Sequence, residues 1–290
     1  MKEDEIKKAV RDGYARTVSQ GSSCCGGTPC CGSAGMAESI SKSIGYADED
    51  LASVPEGANL GLGCGNPIAL ASLKEGEIVL DLGSGAGFDC FLAANRVGKT
   101  GRVIGVDMTP EMLDAARRNA RQGGHTNVEF RLGELENLPA ADSSVDAVIS
   151  NCVINLVPDK ARAFREAYRV LKPGGRLMIS DLVLLKQLPQ AIRNSIEAYV
   201  GCLSGASMRD EYLALIRAAG FEDVGIVDEA SFPIDLMAND PTAEAILGDV
   251  RTSTESLADI AGSVVSVKVQ GCKPVKPARK RRPRTPNATA

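Results

Sequence analysis

Apolar and polar positions change their spacing in blocks along the middle of the chain, and these blocks predict strands and helices in turn. Short apolar runs predict buried strands, and apolar residues that recur every three or four positions predict helices. The predicted order is strand 78–82, helix 86–97, strand 102–106, helix 110–122, strand 127–132, strand 144–150, helix 159–171 and strand 176–182. Strands that alternate with helices in this way indicate an α/β fold with a doubly wound, mostly parallel sheet.

The pattern is less regular on both sides of this block. Before it we predict a helix over 2–20, a loop over the Gly/Ser/Cys-rich residues 21–35, a second glycine-rich stretch at 61–67 and a short helix at 68–73. After it we predict helices at 188–202 and 208–219, a strand near 222–228, a helix near 241–250 and a strand at 263–270.

These patterns divide the chain into four parts. We expect an N-terminal helix with Cys/Gly-rich loops (1–73), a central cofactor-binding domain (74–183), a smaller α+β C-terminal region (184–272) and a basic, disordered tail (273–290). The tail collects lysine and arginine among prolines, without an apolar pattern.

Composition narrows the function classes. The 290 residues are 44% hydrophobic, which is enough for a sizeable core, and the net charge of −4 gives the folded body no general attraction to nucleic acid. No apolar run reaches the roughly 20 residues that span a bilayer, and the charged N-terminus does not resemble a signal peptide. We therefore expect a cytoplasmic protein whose nine cysteines are thiols. A single histidine, His125, excludes a multi-histidine metal site.

A glycine-rich loop, Asp81-Leu82-Gly83-Ser84-Gly85-Ala86-Gly87, joins the first predicted strand to its helix. Glycines let the backbone turn tightly and approach a ligand closely, and the helix that follows offers free N–H groups. Asp107 ends the next strand, where a carboxylate can bind both hydroxyls of a ribose. The glycine spacing differs from the Gly-x-Gly-x-x-Gly of dinucleotide enzymes. Asp81 suits a cofactor that carries a positive amino group rather than a pyrophosphate.

This combination resembles the class I S-adenosylmethionine-dependent methyltransferases over roughly residues 75–182. The resemblance implies a Rossmann-like fold and S-adenosylmethionine as cofactor. It places Glu134 and Leu135 at the adenine ring, and Asn151 at the strand end where methyl donor and acceptor meet. The candidate cofactor-binding residues are Asp81, Gly83, Ser84, Gly85, Gly87, Asp107, Met108, Glu134, Leu135 and Asn151.

Three cysteines lie in distinctive surroundings. Cys152 follows the fourth predicted strand, at the edge where open α/β sheets bind ligands. Cys64 lies in a loop before the sheet, and Cys202 ends a predicted helix after it. A single cysteine is more often a small buried hydrophobe. Loops at the edge of the sheet can nevertheless bring all three together, and three convergent thiolates bind a soft, thiophilic ion.

The segments around these cysteines resemble the arsenite methyltransferases. The matching segments are Gly61-Leu62-Gly63-Cys64-Gly65-Asn66-Pro67, Asp81-Leu82-Gly83-Ser84-Gly85, Ser150-Asn151-Cys152-Val153-Ile154-Asn155-Leu156 and Tyr199-Val200-Gly201-Cys202-Leu203-Ser204-Gly205-Ala206. The resemblance implies that Cys64, Cys152 and Cys202 hold trivalent arsenic, whose lone pair attacks the methyl carbon. It also implies a thiol co-substrate such as glutathione or thioredoxin. A lone pair has no proton to lose, which agrees with the absence of a candidate base.

Other functions remain open at this point. A carbon or oxygen methyltransferase for a quinone or sterol would share the cofactor loop and tolerate serine at all three cysteines. A metalloid-binding protein or sensor would bind arsenite without turnover, although it has no use for a methyl donor. The N-terminal thiols Cys24, Cys25, Cys30 and Cys31 could capture metalloid or act as redox partners, hold zinc, or lie in a loop without a separate role. Family members with a fourth cysteine place it in this region.

Overall fold

A mostly parallel sheet forms the centre of the protein. The computed structural model describes residues 2–21, 33–67, 72–231 and 262–275. In that part of the chain the sheet has seven strands in the order β3-β2-β1-β4-β5-β7-β6. They are β1 (Ile78–Leu82), β2 (Arg102–Asp107), β3 (Val128–Leu132), β4 (Val145–Asn151), β5 (Leu171–Leu184), β6 (Glu222–Ser231) and β7 (Val264–Cys272).

Strand directions match the doubly wound arrangement that the sequence predicts. The first five strands pair in parallel, and β7 runs antiparallel to both of its neighbours, β5 and β6. Both β6 and β7 come from residues beyond 183, so the C-terminal region completes the same sheet. The carboxyl ends of β1, β2 and β4 therefore meet at one edge of the sheet.

Helices cover both faces of the sheet and its carboxyl edge. Those in the described part of the chain are α1 (Glu3–Gly21), α2 (Ser33–Ser43), α3 (Asp48–Ala52), α4 (Phe88–Val97), α5 (Pro110–Gln122), α6 (Lys160–Val170), α7 (Gln190–Asn194), α8 (Ile196–Val200) and α9 (Arg209–Ala218), with a 3₁₀ turn at Ile154–Leu156. Pro110 opens α5, where its fixed φ suits the first helical position. The Asp159 carboxylate caps α6 by accepting the Arg162 N–H at 2.8 Å. None of the described helices combines the length and apolar character needed to cross a bilayer.

Apolar clusters fix the layers. Phe164 of α6 and Tyr212 of α9 pack on one face of the sheet, and Phe91 of α4 and Leu113 of α5 pack on the other. A third cluster joins α1 to α7 and α8 and includes Cys64 and Cys202. The N-terminal helix consequently lies over the carboxyl edge of the sheet.

The predicted elements of the central block are confirmed, except that β5 begins earlier than expected. It starts at Leu171 and includes Pro173, Gly174 and Gly175. The sequence pattern places these residues before the strand, which it predicts at 176–182. A register shift between Val145 and Ala147 of β4 accommodates these residues.

The flanking regions hold the larger differences. The predicted loop 21–35 is wrong at its end, because α2 begins at Ser33, and α3 was not expected. The predicted single helix 188–202 is two short helices, since Ser195 has extended backbone and its hydroxyl accepts the Ala198 N–H at 3.1 Å. Most of the predicted helix 68–73, all of 241–250 and the tail beyond 275 lie outside the described residues. Lys273, the first residue of the expected tail, is buried and donates to the backbone carbonyls of Tyr168 and Leu171.

A pocket between the glycine loop and a thiol cluster

A cavity of about 370 Å³ opens at the carboxyl edge of the sheet, beneath α1. Most of the predicted site residues line it: Asp81, Gly83, Ser84, Gly85, Asp107, Met108, Glu134, Leu135, Asn151, Cys152 and Cys202. Two predicted residues do not line it. Gly87 lies at the start of α4, and Cys64 is buried next to Cys152, which does line the cavity.

The glycine loop turns back onto β2. The Gly83 and Ser84 N–H groups donate to the Val106 carbonyl at 2.8 and 3.0 Å. Gly83 and Gly87 have φ of +68° and +97°, which favours glycine at both. A Cβ at Gly83 would collide with Val153, and one at Gly87 would lie 2.7 Å from the Phe91 ring. Gly87 therefore serves the turn into α4 rather than direct contact with a ligand.

Asp107 connects β2 to this loop. Its carboxylate accepts the Gly85 N–H at 3.0 Å and the Thr109 N–H at 2.8 Å, while the residue lines the cavity. Burial raises the pKa of Asp107, and these backbone donors oppose that effect. The carboxylate is held rigidly at the end of β2, in position to accept hydrogen bonds from ligand hydroxyls.

Two buried carboxyls lie together at the start of the loop. The Asp81 carboxylate accepts a hydrogen bond from the Cys90 thiol at 3.1 Å. The carboxylate of Asp89 in α4 accepts hydrogen bonds from the Tyr46 hydroxyl at 2.7 Å and from the Asn151 amide at 3.1 Å. Burial, and then the charge of Asp89, raise the pKa of Asp81. Burial raises the pKa of Asp89 to about 6. In the described part of the chain no basic side chain pairs with either acid, so this end of the cavity suits a cationic group of a ligand.

Helix α1 closes the cavity from above. Lys7 bridges Glu134 at 2.8 Å and the buried Glu136 at 3.1 Å, which ties α1 to the loop after β3. Two turns further along α1, the Tyr14 hydroxyl hydrogen-bonds the Cys202 thiol. The same helix thus contacts both ends of the cavity.

The three predicted cysteines converge at the other end. The Cys64 and Cys152 sulfurs and a carboxylate oxygen of Asp181 all lie within 4.8 Å of one another. Cys202 donates its thiol hydrogen to the Cys152 carbonyl at 3.0 Å, and the two thiols also hydrogen-bond each other. The structure therefore brings together side chains from a loop before the sheet, from the end of β4 and from the turn after α8.

Close backbone packing places Cys64. Its N–H donates to the Asn151 side chain at 3.2 Å and its carbonyl accepts the Ser266 hydroxyl at 2.6 Å. Gly65 lies so close to Ser180 of β5 that a Cβ there would collide with it. The glycines of 61–67 thus let the loop lie against the sheet and present its thiol.

The surroundings of the three thiols favour their neutral form. Burial raises the pKa of Cys64. A hydrogen bond from Cys202 lowers the pKa of Cys152, but its hydrogen bond to Cys64 and its burial outweigh this and raise it. The hydrogen bond to Cys152, together with burial, raises the pKa of Cys202. All three shifts favour the thiol over the thiolate.

Four residues of the site were not predicted from the sequence: Tyr14, Tyr46, Asp89 and Asp181. Asp181 carried a signal, because an acid inside the apolar run of a central strand is rarely buried without a role. Asp89 follows the glycine loop by two residues and could have been considered with Asp81. Tyr14 and Tyr46 lie far from any motif, and only the packing of α1 and of the segment after α2 brings them in.

Comparison with known proteins agrees with this geometry. A family model described as a methyltransferase domain matches residues 73–220. The arsenite methyltransferase of Halobacterium salinarum is 51% identical over 230 residues, which cover 77% of this chain and 59% of that protein. The ubiquinone/menaquinone biosynthesis C-methyltransferase UbiE of Klebsiella pneumoniae is 36% identical over 133 residues, 46% of this chain and 52% of that protein. The chain thus spans between half and three-fifths of the length of these two relatives.

A solved structure extends the match. CrArsM, an arsenic(III) S-adenosylmethionine methyltransferase from Chlamydomonas reinhardtii, is 35% identical with a TM-score of 0.59, over 82% of this chain and 74% of that chain. The shared sheet confirms the class I methyltransferase fold that the glycine loop and strand order predict. The chain therefore belongs to the class I S-adenosylmethionine-dependent methyltransferases and, among them, to the family of the arsenite methyltransferases.

Proposed function

We propose that this protein transfers methyl groups from S-adenosylmethionine to trivalent arsenic held by Cys64, Cys152 and Cys202. One observation carries the proposal, namely that three thiols converge at one end of a cavity whose other end is formed by the glycine loop and Asp107. Alignment of donor and acceptor in one closed space is the main requirement of a direct displacement.

The residues at the loop end fit S-adenosylmethionine. Asp107 would accept the ribose hydroxyls, the paired acids Asp81 and Asp89 would bind the amino group, and Glu134 and Leu135 would flank the adenine. When bound, the cofactor supplies a methyl group activated by a positively charged sulfur. Met108 and Asn151 complete the lining between the two ends.

Neutral thiols suit the uncharged form of arsenite. Each cysteine forms a sulfur–arsenic bond as a hydroxide leaves arsenic, and the thiol proton departs with that hydroxide as water. Three exchanges give a neutral arsenic trithiolate and three waters, with no net change in charge. Apolar neighbours such as Val153, Leu156 and Leu182 line the cavity beside the thiols and limit access of water.

Two further parts of the proposal concern the surroundings of the enzyme. A small thiol or dithiol protein, such as glutathione or thioredoxin, is the proposed co-substrate that keeps the cysteines reduced. A cytoplasmic location follows from the same need for reduced thiols. The quinone or sterol alternative is not favoured, because it leaves the convergence of the thiols without a purpose and the quinone enzyme aligns with a smaller share of the chain.

Serine variants test the arsenic ligands. Cys152→Ser and Cys202→Ser should each abolish methylation of both arsenite and monomethylated arsenic, because serine oxygen is a poor ligand for a thiophilic centre. Cys64→Ser should abolish the first methylation and retain the second if two thiolates hold the monomethylated species. The products are separated and counted by chromatography with arsenic-specific detection.

Cys272→Ser is the matched control. Cys272 of β7 pairs with Arg176 in the first half of β5, five residues before Asp181, so its substitution should leave both methylations unchanged. Wild-type rates in both Cys152→Ser and Cys202→Ser would refute the three-thiol site.

A further inference from the structure

Asp181 is a buried acid that lies directly behind the thiols. It lies near the carboxyl end of β5, is fully buried, and its carboxylate lies within 4.8 Å of both the Cys64 and the Cys152 sulfur. An arsenic atom bonded to those two sulfurs would lie within a few ångströms of this carboxylate. A carboxylate in such a position interacts strongly with any charge that develops on the arsenic.

Three donors hold the carboxylate in place. Two groups donate to one oxygen, each at 2.9 Å: the Leu182 N–H and the side-chain amide of Asn155, which lies in the 3₁₀ turn after Cys152. The Tyr212 hydroxyl of α9 donates to the other oxygen at 2.9 Å. Burial raises the pKa of Asp181 to about 7, and the three donors oppose that effect, because each favours the ionised form and fixes its orientation. The partly buried Lys160 at the start of α6 adds a favourable charge interaction with Asp181.

Methyl transfer moves a positive charge from the cofactor to arsenic. The arsenic lone pair forms the new arsenic–carbon bond as the carbon–sulfur bond breaks, and the electron pair of that bond stays on sulfur. Arsenic enters this step in a neutral trithiolate and leaves it as a cation. The thiols contribute no negative charge to offset it, because their electron pairs are already shared with arsenic.

We propose that Asp181 is the fixed anion that stabilises the positive charge developing on arsenic during methyl transfer, with Asn155 and Tyr212 as its positioning residues. This inference rests on the proposed function. A preoriented charge in a site shielded from water acts on the transition state more than on the bound, neutral substrate. Asp181 consequently accelerates the transfer step and contributes little to the affinity for trivalent arsenic.

The test is Asp181→Asn, which removes the charge and nearly preserves the shape. The protein is loaded with trivalent arsenic in a thiol buffer and mixed with saturating S-adenosylmethionine, and the first turnover is followed by rapid quench. We expect transfer to slow by about 10²-fold, the usual effect of losing one preoriented electrostatic group. The dissociation constants for trivalent arsenic and cofactor should change less than about threefold. A wild-type transfer rate would overturn the inference, and so would arsenic binding weakened in proportion to the rate.

Two further variants separate charge from packing. Tyr212→Phe keeps the carboxylate and removes one donor, so transfer should stay within about tenfold of wild type; a loss equal to that of Asp181→Asn would show a structural role instead. If Asp181→Asn does not fold, Asp181→Ser carries the same expectation, because it is also uncharged. Inactive wild-type protein would contradict the proposed function itself, whereas active wild type with an equally active Asp181→Asn contradicts only this inference.

Discussion

Two of the site cysteines have backbone that L-amino acids rarely adopt. Cys152 has φ of +57° and Cys202 of +64°, both in the left-handed region. A side chain in this region costs roughly 1–2 kcal/mol relative to ordinary backbone. Glycine would remove that cost at either position, so the thiols are retained against local stability. Strain of this kind concentrates at functional sites, which supports a chemical role for both residues.

The strain can be measured with a pair of truncations. Cys152→Gly should be more stable than Cys152→Ala by about 1 kcal/mol, because only glycine accommodates the positive φ without strain. Urea denaturation of the two variants gives the difference. Cys90 is the control, since it lies inside α4, where glycine should instead be less stable than alanine by about 0.5–1 kcal/mol. An alanine variant at 152 at least as stable as the glycine variant would contradict the strained backbone.

The sequence predicted the site residues that belong to motifs and missed those that tertiary packing brings to the site. Cys64, Cys152 and Cys202 were predicted to converge, and they do. Asp181 and Tyr46 were missed: the acid inside an apolar strand marks Asp181 as unusual, but nothing in the local pattern of either residue says which part of the structure it faces. Their positions depend on the register of β5 beside β4 and on how the segment after α2 folds back.

Among the elements, α1 covers the cavity, and Lys7, Val10, Tyr14 and Thr17 contribute to its lining. Gly13 lets it approach α8, since a Cβ at that position would lie 2.8 Å from the Val200 side chain. Lys7 ties it to Glu134 and to the buried Glu136. The amphipathic pattern of 2–20 predicted this helix correctly, but such a pattern shows only which face is apolar and not which surface that face covers.

Lys7→Met tests the attachment of α1. The variant leaves the buried Glu136 without its cation, so we expect a loss of about 1–3 kcal/mol in the free energy of unfolding and weaker cofactor binding. Chemical denaturation and titration calorimetry measure the two effects. Adding Glu136→Gln to Lys7→Met should restore part of the stability, because the uncompensated charge is then gone. Additive losses in the double variant would show that the two side chains do not interact.

The whole molecule carries several buried acids that bear on its response to pH. Burial raises the pKa of Asp89 to about 6 and that of Asp181 to about 7. The unfolded chain has carboxyl pKa values near 3.9. These two groups therefore bind protons more tightly in the folded state. The stability they contribute is complete below pH ~4 and is lost as the pH rises through 6 and 7.

The unliganded protein should accordingly become less stable by about 2–4 kcal/mol between pH 5 and pH 8. Asp89→Asn should flatten this slope, whereas the exposed Asp114→Asn should leave it unchanged. Glu77 and Glu166, whose pKa values are lowered, act below this window. Urea denaturation at several pH values provides the data, and a stability that rises with pH over the window would contradict the account.

The sheet as a whole was predicted better than its margins. Alternating apolar blocks specify the parallel strands β1 to β5, because each must be buried on both faces. The insertion of β7 between β5 and β6 and the covering of the edge by α1 depend on long-range packing, which local patterns do not encode.

The proposed role of the thiol cluster is to hold arsenic as the methyl acceptor beside the cofactor. The decisive experiment incubates purified protein with arsenite, a thiol and S-adenosylmethionine labelled in its methyl group, after which the arsenic species are separated and counted. We expect labelled methylarsenic in the wild type and none in Cys152→Ser. Protein that binds S-adenosylmethionine yet forms no labelled arsenic species in the wild type would contradict it.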